Sequence, residues 1–199
     1  MKRLRRTAAF IDKDGTLVHD EPFNVDPRRI RWTPHAIEGL RLLASQGHLL
    51  VIVTNQPGVA LGRFEADALQ GLQKGLQRML AEEGLRLSGF YACPHAAAPD
   101  GTPACACRKP QAGLLRDAAR RLAVDLTASW MIGDILDDVE AGHRAGCRSV
   151  LLDVGNETVW KMSPMRTPDL RATDLLDAAR QITAIAKGPA PVVRLEGHV

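Results

Sequence analysis

Apolar and polar positions divide the chain into alternating strand-like and helix-like stretches. Residues 8–12 (AAFID) form a short apolar run. Residues 48–54 (HLLVIVT) form a continuous one, the pattern of a strand buried on both faces. The runs at 89–93 (GFYAC), 129–133 (SWMIG) and 148–154 (RSVLLDV) read the same way. Between them, apolar residues recur at helical spacing. Over 33–47, Thr33 can cap a helix, Pro34 suits its first turn and Gly47 its stop. Over 64–83, Leu69, Leu72, Leu76, Met79 and Leu80 share one face. Leu114, Leu115, Ala118, Ala119 and Leu122 mark a further helix, and another is expected near 137–145. Leu176, Ala179, Ile182 and Ile185 mark a last one over 173–187. This alternation predicts an α/β fold, a doubly wound and mainly parallel sheet in a single domain over 1–187. Pro189, Pro191 and a polar end predict a flexible tail over 188–199.

Ligands of such sheets bind beyond the carboxyl ends of the strands, so the residues that follow each apolar run are the first candidates for chemistry. Asp12, Asp14, Gly15 and Thr16 follow the first run, Thr54, Asn55 and Gln56 end and follow the second, and Asp134, Asp137 and Asp138 follow the fourth. Singly, each has an ordinary explanation: Asp and Gly form turns, and Asp caps helices. Together they do not, because carboxylates gathered on one rim repel unless a cation sits among them. Carboxylates, a hydroxyl, an amide and the nearby Lys109 suit Mg²⁺ and a phosphate group.

A second cluster lies in residues 93–110, CPHAAAPDGTPACACRKP. Cys93, His95, Cys105 and Cys107 offer three thiolates and one imidazole, a complete tetrahedral set for a structural Zn²⁺. Arg108 and Lys109 follow at once, so such a clamp would fix two basic groups. Cys147 is assigned to the core. The other bulk features narrow the classes. A formal net charge of +3 and eight aromatic residues among 199 give no surface for tracking or stacking a nucleic acid. No apolar stretch reaches the roughly 18 residues of a membrane span. The basic start, Lys2, Arg3, Arg5 and Arg6, precedes too short an apolar run for a signal peptide and reads as a solvated tail. A cytoplasmic protein with reduced cysteines is expected.

In order and spacing, DKDGT (12–16), TNQ (54–56), RKP (108–110) and GDILDD (133–138) resemble the four motifs of the haloacid dehalogenase (HAD) superfamily of phosphatases, over about residues 8–155. The resemblance implies an Mg²⁺-dependent phosphomonoester hydrolase. Asp12 would be the nucleophile and Asp14 the general acid and base. Asp12, Asp14 through its carbonyl, and Asp134 would hold the metal, with Asp138 behind them. Thr54 and Lys109 would contact the transferring phosphoryl group, and Asn55 would position substrate or loop. The C-x-H…C-x-C-R-K-P pattern resembles a small, nearly capless branch with this zinc loop. That branch includes heptose bisphosphate phosphatases and histidinol-phosphate phosphatases. There, Arg108 and Lys109 match a substrate-contacting pair.

The resemblance thus implies a small phosphosugar as partner, with heptose 1,7-bisphosphate favoured, histidinol phosphate as the alternative, and nucleotide-heptose supply to surface polysaccharide as the setting. A non-catalytic zinc-stabilised binding module is the reading from a different class. The segment 17–33 is the expected specificity flap, in which His19, Asp20 and Glu21 could meet substrate hydroxyls and Arg28, Arg29 and Arg31 a second phosphate. One position departs from the pattern: Ile135 stands where relatives often carry a basic residue. The unusual segment 155–169, with Trp160 and Lys161, could cover the site or make a dimer contact. A monomer is expected, with a dimer left open.

Overall fold

The computed structural model describes residues 6–99, 101, 102 and 104–188. Six strands form one sheet: β1 (Ala8–Ile11), β2 (Leu49–Asn55), β3 (Leu87–Cys93), β4 (Trp130–Gly133), β5 (Arg148–Leu152) and β6 (Leu170–Ala172), in the order β3-β2-β1-β4-β5-β6. All neighbouring strands pair in parallel. Helices α1 (Ala36–Ser45), α2 (Ala68–Glu82), α3 (Gly113–Leu122), α4 (Leu136–Ala145) and α5 (Leu175–Lys187) cover its two faces.

The strands alternate side chains between two cores, as the pleat requires. On one face Ala9 and Ile11 of β1 join Ile52, Ile132 and Val150 beneath Leu40, Leu72, Leu76 and Ile182 of α1, α2 and α5. On the other, Ala8 and Phe10 join Val51, Val53 and Met131 beneath Leu115, Ala118 and Ala141 of α3 and α4. A strand with no wet face must be apolar throughout, which is why these runs are continuous. The chain runs from β1 to β2 on one flank, while β4 takes the other. The crevice between the carboxyl ends of β1 and β4 is therefore the point where the strand order reverses.

Three local expectations shift. Thr33 does not cap α1: its hydroxyl donates to the Thr16 carbonyl at 2.7 Å, tying the 17–33 flap to the loop after β1. The helix starts instead after His35, which adopts a left-handed φ of 57°. Helix α2 begins at Ala68, after a run of turns. Strand β6 went unpredicted because Leu170–Ala172 is too short to display a period of two.

Lys2, Arg3, Arg5 and the tail beyond Gly188 lie outside the described residues. Among the described residues, no helix is long and apolar enough to cross a membrane.

Candidate active site

Ending the strands where they do places the polar groups. Asp12 follows β1 directly, and its amide donates to the Ile132 carbonyl at 3.0 Å. Asp134 follows β4, and Thr54 and Asn55 close β2. Lys109 arrives from the loop before α3 and is almost wholly buried. Its Nζ donates to Asp12 Oδ1 at 2.5 Å and to the Val53 carbonyl at 3.0 Å, and lies 2.6 Å from Asp138 Oδ1. Burial alone would lower the lysine's pKa; the charges of Asp12 and Asp138 override it and raise it, so the ammonium stays protonated. The backbone of Lys109 is gripped by the Asn55 amide. Lys109 N donates to Asn55 Oδ1 at 3.0 Å, and Asn55 Nδ2 donates to the Lys109 carbonyl at 3.1 Å.

The carboxylates crowd. One oxygen each of Asp12, Asp134 and Asp138 lies within 4.8 Å of the others. Burial, then the charge of Asp12, pushes Asp134 up to about 6. Burial pushes Asp138 up to about 8, against the pull of Lys109. Asp14 is raised by burial as well, although Lys13 forms an ion pair with it and Gln56 Nε2 donates to it at 2.8 Å. Asp12, Asp14, Asp134 and Asp138 outnumber Lys13 and Lys109, and the upward shifts of Asp14, Asp134 and Asp138 mark a site that favours added positive charge. Hard oxygen donors crowded in this way fit a divalent cation such as Mg²⁺. Two glycines make room. At Gly15, with φ +78°, a Cβ would run into Asp134 Oδ2 and the Asn156 amide. At Gly133 it would strike the Asp138 carboxylate.

Asp12, Asp14, Thr54, Asn55, Arg108, Lys109 and Asp134 line one pocket, as does Asp20 from the flap. Ile135, Asp137 and Asn156 complete its wall. His19 faces an adjoining cavity that shares Asp20 and Asn156 with the pocket. Asp138 lies under the pocket, fully buried. The flap arginines are already engaged: Arg28 with Asp26, Arg29 with Glu21, and Arg31 with the carbonyls of Arg28 and Ile30. Trp160 is 42 % exposed, with the Arg171 guanidinium 5.0 Å from its ring centre.

Sequence reasoning missed several partners. Thr16 Oγ1 and Asn156 Nδ2 donate to the two oxygens of Asp134, each at 2.8 Å. Gln56 Nε2 reaches both Asp14 Oδ2 and, at 3.0 Å, Thr54 Oγ1. Gln56 was visible as part of TNQ, whereas Asn156 carries no local signal in a loop 22 residues from its partner.

The second cluster closes beside the pocket. Cys93 Sγ lies 3.5 Å from His95 Nδ1, 3.6 Å from Cys105 Sγ and 3.1 Å from Cys107 Sγ. Cys107 Sγ lies 3.3 Å from both His95 Nδ1 and Cys105 Sγ. These separations far exceed a disulfide bond of about 2.05 Å. They approach the edges of about 3.5–3.8 Å that follow from tetrahedral Zn–S and Zn–N bonds. Burial pushes the Cys93 thiol up. Cys105 is also raised by burial, but the Arg108 amide donates to its sulfur at 3.3 Å and, with its neighbours, brings it down to about 7. Arg108 is thus tied to the cluster by its backbone, and by its guanidinium to the His95 carbonyl at 3.2 Å. Cys147 stands apart in the core, pushed up to about 12 by burial.

The HAD-hydrolase-like family model matches residues 106–178. The D-glycero-β-D-manno-heptose-1,7-bisphosphate 7-phosphatase of Photorhabdus laumondii is 36% identical over 175 residues, covering 85% of this chain and 88% of that protein. The enzyme of the same name from Haemophilus influenzae is 39% identical over 151 residues, covering 74% and 82%. The D,D-heptose 1,7-bisphosphate phosphatase of B. bronchiseptica, crystallised with magnesium and phosphate, superposes with a TM-score of 0.72 at 31% identity, covering 89% of this chain and 98% of that one. The chain belongs to the HAD-like hydrolases, in the same phosphatase family as these relatives.

Proposed function

We propose that the protein removes the 7-phosphate of D-glycero-D-manno-heptose 1,7-bisphosphate, in nucleotide-heptose synthesis. The observation that carries this reading is the placement of Asp12, 2.5 Å from Lys109 Nζ at the mouth between β1 and β4, beside Asp14, Thr54 and Asp134. The names of the relatives supply the substrate.

Asp12 is the nucleophile. One of its carboxylate oxygens bonds to phosphorus as the bond from phosphorus to the sugar oxygen breaks. Asp14, whose pKa burial raises, gives its proton to that leaving oxygen. In the second half, Asp14 takes a proton from water, the water oxygen bonds to phosphorus, and the bond to Asp12 breaks to release inorganic phosphate. Lys109 and Thr54 bind the phosphoryl oxygens, where negative charge needs fixed partners. Asp12, Asp134 and the Asp14 carbonyl would hold Mg²⁺, which when bound neutralises the carboxylates and the phosphoryl group.

Cys93, His95, Cys105 and Cys107 would hold a structural Zn²⁺, whose effect here is to fix the backbone that presents Arg108 and Lys109. Arg108, on the rim, would contact the second phosphate, and Asp20 the sugar hydroxyls. The expected location is the cytoplasm, where free thiols persist.

The test is phosphate release with Mg²⁺ from both anomers of the heptose bisphosphate, from histidinol phosphate and from a 3′-phosphorylated oligonucleotide. The reading expects a clear preference for one heptose anomer and no turnover by Asp12→Asn. A preference for histidinol phosphate, or no turnover of any ester, contradicts it.

A further inference from the structure

We infer that Asn156 is a positioning residue for Asp134, acting through the free oxygen that Thr16 leaves open. This inference rests on the proposed metal-binding role of Asp134. Each carboxylate oxygen can accept two hydrogen bonds or share a lone pair with a cation. Thr16 Oγ1 occupies one site on Oδ1 and Asn156 Nδ2 one on Oδ2, each at 2.8 Å. The pair of donors fixes the plane of the carboxylate while leaving one lone pair on each oxygen for a metal ion.

Asn156 is a placed group rather than a passing contact. The chain leaves β5 and turns at Gly155, with φ +87°. On the other side, Glu157 Oε2 accepts the Leu136 amide at 2.8 Å, pinning the strap to the first turn of α4. Further along, Arg166 bonds Asp137 and Glu140 at 2.6 Å each, so the strap is stapled to α4 at two places. The space that Asn156 enters exists because residue 15 has no side chain: a Cβ there would meet both the Asn156 amide and Asp134. The strap after β5 therefore completes the setting of a carboxylate that β4 delivers.

Outer partners of ligating groups, when removed, cost about 10- to 100-fold in metal affinity or activity. The direct test is Mn²⁺ binding, read by electron paramagnetic resonance, to protein freed of Mg²⁺ but keeping its zinc. Wild type, Asn156→Ala and Asp134→Asn are compared, with thermal melting of each in parallel. The inference expects Asn156→Ala to bind Mn²⁺ at least about tenfold more weakly, with the melting temperature of the metal-free protein lowered by only about 2–4 °C, the scale of one lost hydrogen bond, and to regain most of its kcat at saturating Mg²⁺. Asn156→Ser, too short to span the gap, should behave alike and serves if the alanine variant folds poorly. Mn²⁺ affinity equal to wild type in either variant overturns the inference while leaving the metal reading intact. Wild type and Asp134→Asn that bind Mn²⁺ alike would overturn the metal reading itself, and the inference with it.

Discussion

Lys109 Nζ lies 2.5 Å from Asp12 Oδ1 and 2.6 Å from Asp138 Oδ1, so one buried ammonium joins the two carboxylates. Taking away one partner of such a group leaves uncompensated buried charge, which costs far more than the pair itself contributes. Lys109→Met should lower kcat by at least about 100-fold, the scale for losing one fixed charge partner of a transition state. In Mg²⁺-free protein it should also lower the unfolding free energy by about 3 kcal/mol. Steady-state kinetics and denaturant titration check the two effects. A variant with near-normal kcat would remove Lys109 from the reaction.

Asn55 is predicted to act through Lys109 rather than on substrate. Its side-chain amide makes both hydrogen bonds to the Lys109 backbone. Asn55→Leu should lower kcat by about 10- to 100-fold, as expected when a reacting group is misplaced by about 1 Å. The KM for a generic aryl phosphate should change little. A raised KM at constant kcat would instead mark Asn55 as a substrate contact.

The strand ends were legible in the sequence because an apolar run that stops at a carboxylate marks both the strand and its exposed mouth. Asp12 and Asp134 are found that way, and the Cys–His cluster by spacing alone. The partners were not. Asn156 and Glu157 reach Asp134 and the α4 amide across a turn that no periodicity marks. The role of Asn55 was open, because the same residue after a strand can face substrate or grip a loop. Gly133 looked like any strand-end glycine, yet its missing side chain is where the Asp138 carboxylate lies. Strand β6 was hidden by length, and Thr33 by a carbonyl 17 residues away that claims its hydroxyl. Local pattern carries period and punctuation, whereas long-range hydrogen bonds leave no mark on it.

The proposed zinc clamp implies a stoichiometry and a coupled loss. Protein denatured with a thiol-blocking reagent should release about one zinc per chain to a colorimetric chelator. Cys105→Ser should release far less, raise KM and lower kcat, because Arg108 is tied to Cys105 Sγ and the His95 carbonyl. Full zinc content in the serine variant would contradict the ligand assignment.

His48 predicts a pH dependence unrelated to catalysis. It sits just before β2, half-buried, and its Nδ1 has no hydrogen-bond partner among the described residues. Burial lowers its pKa below the ordinary value of about 6.5. The folded protein therefore binds this proton less readily than the unfolded chain. The associated stability is complete above about pH 6.5 and is lost as pH falls through the folded value. With metal content held fixed, melting temperature measured from pH 7.5 to 5 should fall less in His48→Gln than in wild type. Parallel curves would show that His48 carries none of the dependence.

The proposed chemistry requires that Asp12 itself accept the phosphoryl group. Acid-quenching the reaction within the first turnover, then weighing the peptide that carries Asp12, tests it most directly. A phosphoryl adduct is expected on that peptide, located at Asp12, appearing before free phosphate and decaying with its release. Free phosphate that appears at the full rate with no adduct on that peptide, together with inversion of configuration at phosphorus, would contradict it.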